Sequence, residues 1–183
     1  EPVKLTWTSD QNITFEKIIT LDENYLFSVD QRVINNSGLS FDLYPYGLSK
    51  RQGIPEMQNF FILHEGPLSI TDGVLEEYDY DDLKDDKKIK HSSVGGWIGM
   101  TDKYWQTAII PNQNEPVQQT YSYSFVDNID NFQTDIVGER IAISNNASIS
   151  HNFKIFAGPK IVNIIDKYME EYGFDGFDRS VDF

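Results

Sequence analysis

The chain has 183 residues, 39% of them hydrophobic and 14% aromatic, enough to bury one substantial core with no compositional break that splits it. Its 15 Lys and Arg stand against 29 Asp and Glu, a formal net charge of −14, which excludes nucleic acid and anionic lipid headgroups as partners. Without cysteine it has no disulfide, thiolate catalysis or cysteine-zinc site, and its nearest approach to a membrane span, Phe60-Phe61-Ile62-Leu63, is far shorter than the roughly 20 residues a spanning helix needs.

Taken in chain order, Val3, Leu5 and Trp7 alternate with polar residues, as do Tyr25, Phe27, Val29 and Val33, the period-two mark of half-buried strands. The turn-forming Asn35-Asn36-Ser37-Gly38 leads to Leu39, Phe41 and Leu43, which alternate again. This predicts an antiparallel hairpin whose second strand Pro45 ends or holds at a sheet edge. Residues 51–59, with Arg51, Gly53, Pro55 and Glu56, read as a loop. Leu68 and Ile70 enter Thr71-Asp72-Gly73 and Val74 leaves it, a second hairpin in which Asp-Gly supplies the positive φ of a tight turn.

Asp79, Asp81, Asp82, Asp85 and Asp86 are interleaved with or followed by Lys84, Lys87, Lys88 and Lys90, so the charges cancel and the segment reads as a solvated loop. The aspartates lack the regular alternation and the closing glutamate of a calcium loop. Next comes Gly95-Gly96-Trp97-Ile98-Gly99-Met100-Thr101-Asp102-Lys103-Tyr104-Trp105, running on to Pro111. Its glycines and large rings imply a strand in which backbone and aromatics pack closely. Tyr121, Tyr123 and Phe125 alternate with polar residues, and so do Ile149, His151, Phe153 and Ile155. Strands at this frequency over residues 1–157 predict a sandwich of long antiparallel sheets.

The period changes at Gly158-Pro159. Ile161, Ile164, Ile165, Tyr168, Met169 and Tyr172 recur at spacings of three and four, an amphipathic helix in a C-terminal segment over 158–183. Pro159 suits its first turn and Gly173 its C-terminal cap. That apolar stripe has to dock on the sandwich or on a neighbouring domain.

Chemistry is sparse. His64-Glu65 is the one adjacent pair of histidine and carboxylate, but neighbours on a strand point to opposite faces. His91 and His151 are isolated, the latter on the apolar side of its strand, where a hydrogen-bonded core histidine is expected. There is no phosphate loop, no Gly-x-Ser-x-Gly and no His-Glu-x-x-His. The expectation is a noncatalytic domain with no cofactor and no metal. Exposed aromatics on a sandwich face could stack on sugars or grip an apolar client segment. Trp7, Trp97, Tyr104, Trp105, Tyr121 and Tyr123 are the candidates, most of them expected in the core, with Trp97, Tyr104 and Trp105 as possible groove aromatics.

The Gly95 to Pro111 segment also resembles the corresponding part of the periplasmic domain of YidC-type (Oxa-family) membrane protein insertases. The similarity extends through Pro2-Val3-Lys4-Leu5-Thr6-Trp7, Asp22-Glu23-Asn24-Tyr25-Leu26-Phe27, Asn35-Asn36-Ser37-Gly38 and Phe61-Ile62-Leu63-His64-Glu65-Gly66-Pro67. It resumes at Phe156-Ala157-Gly158-Pro159-Lys160 and in Phe177-Asp178-Arg179-Ser180-Val181-Asp182-Phe183. The resemblance implies a galactose mutarotase-like β-supersandwich on the periplasmic side of a Gram-negative inner membrane. Phe183 would be the last residue before the membrane, and the insertase groove would lie in the part that follows. The family's domain is longer, with further strands before Glu1, which reads as the start of an excised piece; the exposed sheet edges that result predict self-association.

The partners so implied are the Sec translocon and its accessory subunits, nascent membrane proteins and the protein's own transmembrane domain, with no nucleic acid. The contacts would come from Ile161, Ile165, Tyr168, Met169 and Tyr172, together with Asp178, Arg179 and Phe183 of the exit segment. A mutarotase-like enzyme would instead need a histidine and a carboxylate meeting in a cleft.

Overall fold

A computed structural model describes residues 1–55 and 64–181. Glu56, Phe60 to Leu63, Asp182 and Phe183, each named above, lie outside the described residues. The strands in chain order are β1 (Val3–Thr8), β2 (Ile13–Leu21), β3 (Leu26–Asn35), β4 (Phe41–Leu43), β5 (Tyr46–Gln52), β6 (Gly66–Thr71) and β7 (Val74–Glu77). Helix α1 (Tyr80–Asp86) separates these from β8 (Lys88–Val94), β9 (Trp97–Thr101), β10 (Trp105–Ile110), β11 (Pro116–Val126), β12 (Ile129–Gly138), β13 (Ile141–Ile143) and β14 (Ala147–Pro159). Helix α2 (Val162–Tyr172) and a 3-10 turn (Phe177–Ser180) follow.

These strands form an eight-stranded sheet in the order β1-β2-β3-β14-β10-β9-β6-β7, a four-stranded sheet β5-β12-β11-β8 and a small pair β13-β4. Every ladder is antiparallel. The large sheet is covered on both faces over its middle. One face packs Leu26, Leu68, Trp97 and Phe156 against Ile165 and Tyr168 of α2 and Phe177 of the 3-10 turn. The other packs Val29, Ile98, Ile109 and Phe153 against Tyr121 and Phe132 of the four-stranded sheet. At roughly 1.5–3 kcal/mol for each fully buried large side chain, these two layers hold the molecule together. Within the large sheet Gly99 lets β9 lie against β10: a Cβ there would meet the Thr107 carbonyl oxygen at 1.8 Å, so no other residue fits.

The β6–β7 hairpin forms as its turn residues predict, with Thr71 opposite Val74 and with Asp72 and Gly73 at φ 46 and 79. The hairpin expected around Asn35-Asn36-Ser37-Gly38 does not form. Both edges of β3 are already taken, by β2 and β14, so β4 pairs with β13 instead. The Asn35 side chain enforces this departure, its amide donating to the carbonyls of Leu39, Ile143 and Ser144 at 2.7, 3.2 and 3.1 Å.

Three further expectations are corrected. Residues 80–86 are a helix, not a loop. Asp82 accepts the Asp79 N–H at 3.1 Å, the acidic first turn favours the helix N-terminus, and Tyr80 and Leu83 are buried. Strand β1 is exposed on both sides rather than half-buried, because it stands at the sheet edge beyond the reach of the four-stranded sheet. Pro159 ends β14, and α2 starts only at Val162. Gly173 does cap α2 in the left-handed conformation, its N–H donating to the Met169 carbonyl at 2.9 Å.

Candidate functional site

Two places carry the residues singled out by sequence: the α2 face and a cleft beside β5. On α2, Ile165 and Tyr168 are fully buried against the large sheet, with Ile164 and Met169 partly buried beside them. Tyr168 and Phe156 meet edge to face at 6.2 Å. The Tyr168 hydroxyl donates to Asp22 in the turn between β2 and β3. The same carboxylate accepts the N–H groups of Asn24 and Leu26 at 2.8 and 2.9 Å. Burial alone would raise the Asp22 pKa, but the hydrogen bonds from Tyr168, Leu26 and Asn24 outweigh it and hold the group below its ordinary value. Burial and the Asp22 acceptor together push the Tyr168 hydroxyl well above the usual tyrosine range.

Of the other stripe positions, Ile161 precedes the helix and is exposed, and Tyr172 is 40% exposed. The Tyr172 ring stacks on Phe174 at 5.4 Å and lies under the Lys154 ammonium at 4.7 Å. Beyond the helix, the Trp97 indole N–H donates to the Asp175 carbonyl at 3.1 Å and Phe177 is buried edge to face against that indole. Arg179 donates to the Gly73 carbonyl at 2.8 Å, while Asp178 is exposed. The middle of the apolar stripe, Ile164, Ile165, Tyr168 and Met169, is thus spent on the large sheet, and Asn163, Lys167, Glu170 and Glu171 are left facing water.

The second place is a cleft of about 540 Å³ between β5, at the edge of the four-stranded sheet, and the face of the large sheet. Ser49, Arg51, Met100, Asp102, Trp105 and Thr107 line it. Arg51 binds Asp102 in bidentate fashion at 2.6 and 3.0 Å, and the Ser49 and Thr107 hydroxyls lie 3.1 Å apart. Tyr104 and Trp105 are 64% and 59% exposed; Trp105 lines the cleft and Tyr104 does not. Nor does Trp97. It is 0% exposed, because β9 is covered on both faces. Tyr121 is likewise in the core, Tyr123 is half-buried and hydrogen-bonded to Asp130, and Trp7 stacks on Phe15 at 5.4 Å on the exposed β1.

The histidines are dispersed. His64 Nε2 lies 3.1 Å from the Pro67 carbonyl oxygen, and His91 Nε2 lies 2.8 Å from the Tyr78 hydroxyl. His151 does meet a carboxylate, its Nε2 lying 2.9 Å from Glu115 Oε2. The pair borders two smaller cavities of about 210 and 270 Å³; Glu115 lines the first and His151 both. Its members stand 36 positions apart, and no local pattern announces it. Among the described residues, no group of three or more His, Asp or Glu is placed to hold a metal.

The family model for the YidC periplasmic domain matches residues 1–183. The chain belongs to that family. The membrane protein insertase YidC of Rickettsia canadensis (strain McKiel) is 39% identical over 184 residues, covering 100% of this chain and 33% of that protein. The YidC of Pelagibacter ubique (strain HTCC1062) is 39% identical over 183 residues, covering 100% and 32%. The chain therefore spans about a third of the length of the curated relatives it matches. Its fold is similar to that of a galactose mutarotase related enzyme from Lactobacillus acidophilus, with a TM-score of 0.56 and 11% identity over 86% of this chain and 69% of that one. The architecture is therefore a galactose mutarotase-like antiparallel supersandwich with a C-terminal amphipathic helix, as the resemblance implies.

Proposed function

We propose that residues 1–183 are the noncatalytic periplasmic domain of an insertase and chaperone that inserts and folds inner-membrane proteins of a Gram-negative cell, alone or with the Sec translocon. In this reading the domain is a scaffold and docking module. The observation that carries it is the docking of α2: its apolar stripe is buried on the large sheet and anchored by the bond from Tyr168 to Asp22. A helix held in this way fixes the direction of the exit segment at Asp178 and Arg179, which in the complete protein would orient the sandwich over its own transmembrane domain. The translocon and its accessory subunits would then dock on the exposed surface around Ile161 and Tyr172.

The test is photo-crosslinking of the complete protein in native membranes, with probes at Ile161, Tyr172, Tyr104 and Trp105. Crosslinks to translocon subunits from Ile161 and Tyr172 support docking. Crosslinks only to nascent clients, and only from Tyr104 and Trp105, would replace it with a second reading, a binding module whose groove takes a sugar or an extended client polypeptide. The cleft beside β5, with its exposed indole, favours that second reading.

A further inference from the structure

We infer that Gln113 is a positioning residue for the exit segment, and that Gly95-Gly96-Trp97 is the socket it completes. This rests on the scaffold reading and names the side chains that carry direction from the helix to the segment beyond it. Helix α2 ends at Tyr172. The chain then passes through Gly173 and Gly176, at φ 67 and 57, a left-handed backbone that glycine enters and leaves easily. The direction set by the docked helix reaches Asp178 and Arg179 only if the turn between these two glycines is itself held.

The socket holds it from both sides. The Asp175 N–H donates to Gln113 Oε1 at 3.2 Å, and the Asp175 carbonyl accepts the Trp97 indole N–H at 3.1 Å. The same Gln113 oxygen accepts the Gly96 N–H at 3.2 Å, while its amide nitrogen donates to the carbonyls of Gly96 and Pro111 at 3.0 and 2.9 Å. Both donors and both acceptor positions of this amide are in use, and a flipped amide would set its N–H groups against two others, so its orientation is fixed. Gly95 makes the room, since a Cβ there would lie 2.4 Å from the Gln113 carbonyl oxygen. On the other side, a Cβ at Gly176 would meet the Ile70 side chain at 2.9 Å, and Arg179 donates to the Gly73 carbonyl at 2.8 Å. The β6–β7 turn that receives Arg179 is tied to the four-stranded sheet, Asp72 accepting the Val94 N–H at 2.9 Å. An apolar residue in place of Gln113 would fill the space and leave these backbone groups without their partner, so packing alone does not account for the amide.

The experiment is double electron–electron resonance on the complete protein in lipid nanodiscs, combined with amide hydrogen exchange. One spin label sits on Ser92→Cys, exposed on β8 of a domain without cysteine, and the other in the transmembrane part. The parent should give a narrow distance distribution, and a flexible Gly-Ser linker inserted after residue 183 a broad one. Gln113→Ala should broaden the distribution toward that of the linker variant. It should also speed exchange of the Asp175, Phe177 and Arg179 amides at least about tenfold while α2 exchanges as in the parent, which shows that the domain is folded. Gln113→Glu, which keeps the acceptor and loses both donors, should recover part of each effect, and Gln118→Ala, an exposed glutamine outside the socket, should produce neither. Exchange at Asp175 that Gln113→Ala leaves unchanged overturns the assignment. If the linker broadens the distribution and Gln113→Ala does not, Gln113 is not a positioning residue and the scaffold reading stands. If the linker itself leaves the distribution narrow, the exit segment does not set the orientation, and the scaffold reading fails together with the inference.

Discussion

The covered and uncovered parts of the eight-stranded sheet have the same kind of sequence and opposite fates. In β14, Phe153 and Phe156 lie in the two cores, under the four-stranded sheet and under α2. In β1, Val3, Leu5 and Trp7 alternate just as regularly, yet more than half of each stays in water. Paired register places Trp7 beside Phe15, Val33 and Ile149 in one row across the sheet, so the apolar stripe continues beyond the point where the second layer ends. Period-two alternation therefore specifies that one side of a strand is apolar. Whether that side is buried depends on a layer supplied by residues far along the chain.

Substitutions should separate the two regions sharply. Ile165→Asp puts an unpaired charge into the core under α2 and should cost about 4 kcal/mol or more, whereas Leu5→Asp on β1 should cost less than about 0.5; urea titration of both variants measures the difference. Trp97→Ala should cost about 3–5 kcal/mol and Trp7→Ala less than about 1, read in the same way. Equal losses within either pair would break the distinction.

A smaller effect sharpens it. Tyr168→Phe removes only the hydroxyl that donates to Asp22 and should cost about 1–2 kcal/mol, a bond to a charged acceptor being stronger than average. Because the folded pKa of Asp22 is lowered, its contribution is fully present above the unfolded value of about 3.9 and is lost as pH falls through the lower folded value. The acid limb of the stability curve should therefore be shallower in Tyr168→Phe than in the parent. Smallest of all, Arg140→Ala breaks an exposed ion pair with Asp42 and should change stability by less than about 0.5 kcal/mol at any pH between 5 and 8.

What was legible in the sequence was local. Asp72-Gly73 announces the β6–β7 turn because few residues accept those positive φ values, and the three-four spacing from Ile161 to Tyr172 with Gly173 at its end announces α2. Partners distant in sequence were not legible. Asp22 and Tyr168 are 146 positions apart and Arg51 and Asp102 are 51 apart; each is an ordinary polar residue in its own neighbourhood. The partner of β4 is hidden for the same reason: the sequence around Ser37-Gly38 is turn-forming, but which edge is free depends on β14, more than a hundred residues later. Trp97 and Trp105 belong to one motif and diverge because β9 is sealed between two layers while the start of β10 borders the cleft. The glycines alongside them mark close packing without saying which ring is inside.

Helix α2 is packed as a fixed part of the sandwich and not as a tether. Amide hydrogen exchange on the complete protein in detergent tests it most directly. The amides of α2 from Ile165 to Tyr172 should be protected to the same degree as those of β10 and β14, while the outer amides of β1 exchange orders of magnitude faster. Exchange in α2 as fast as in β1 would contradict it, because a helix that opens independently cannot set the orientation of the chain that leaves it.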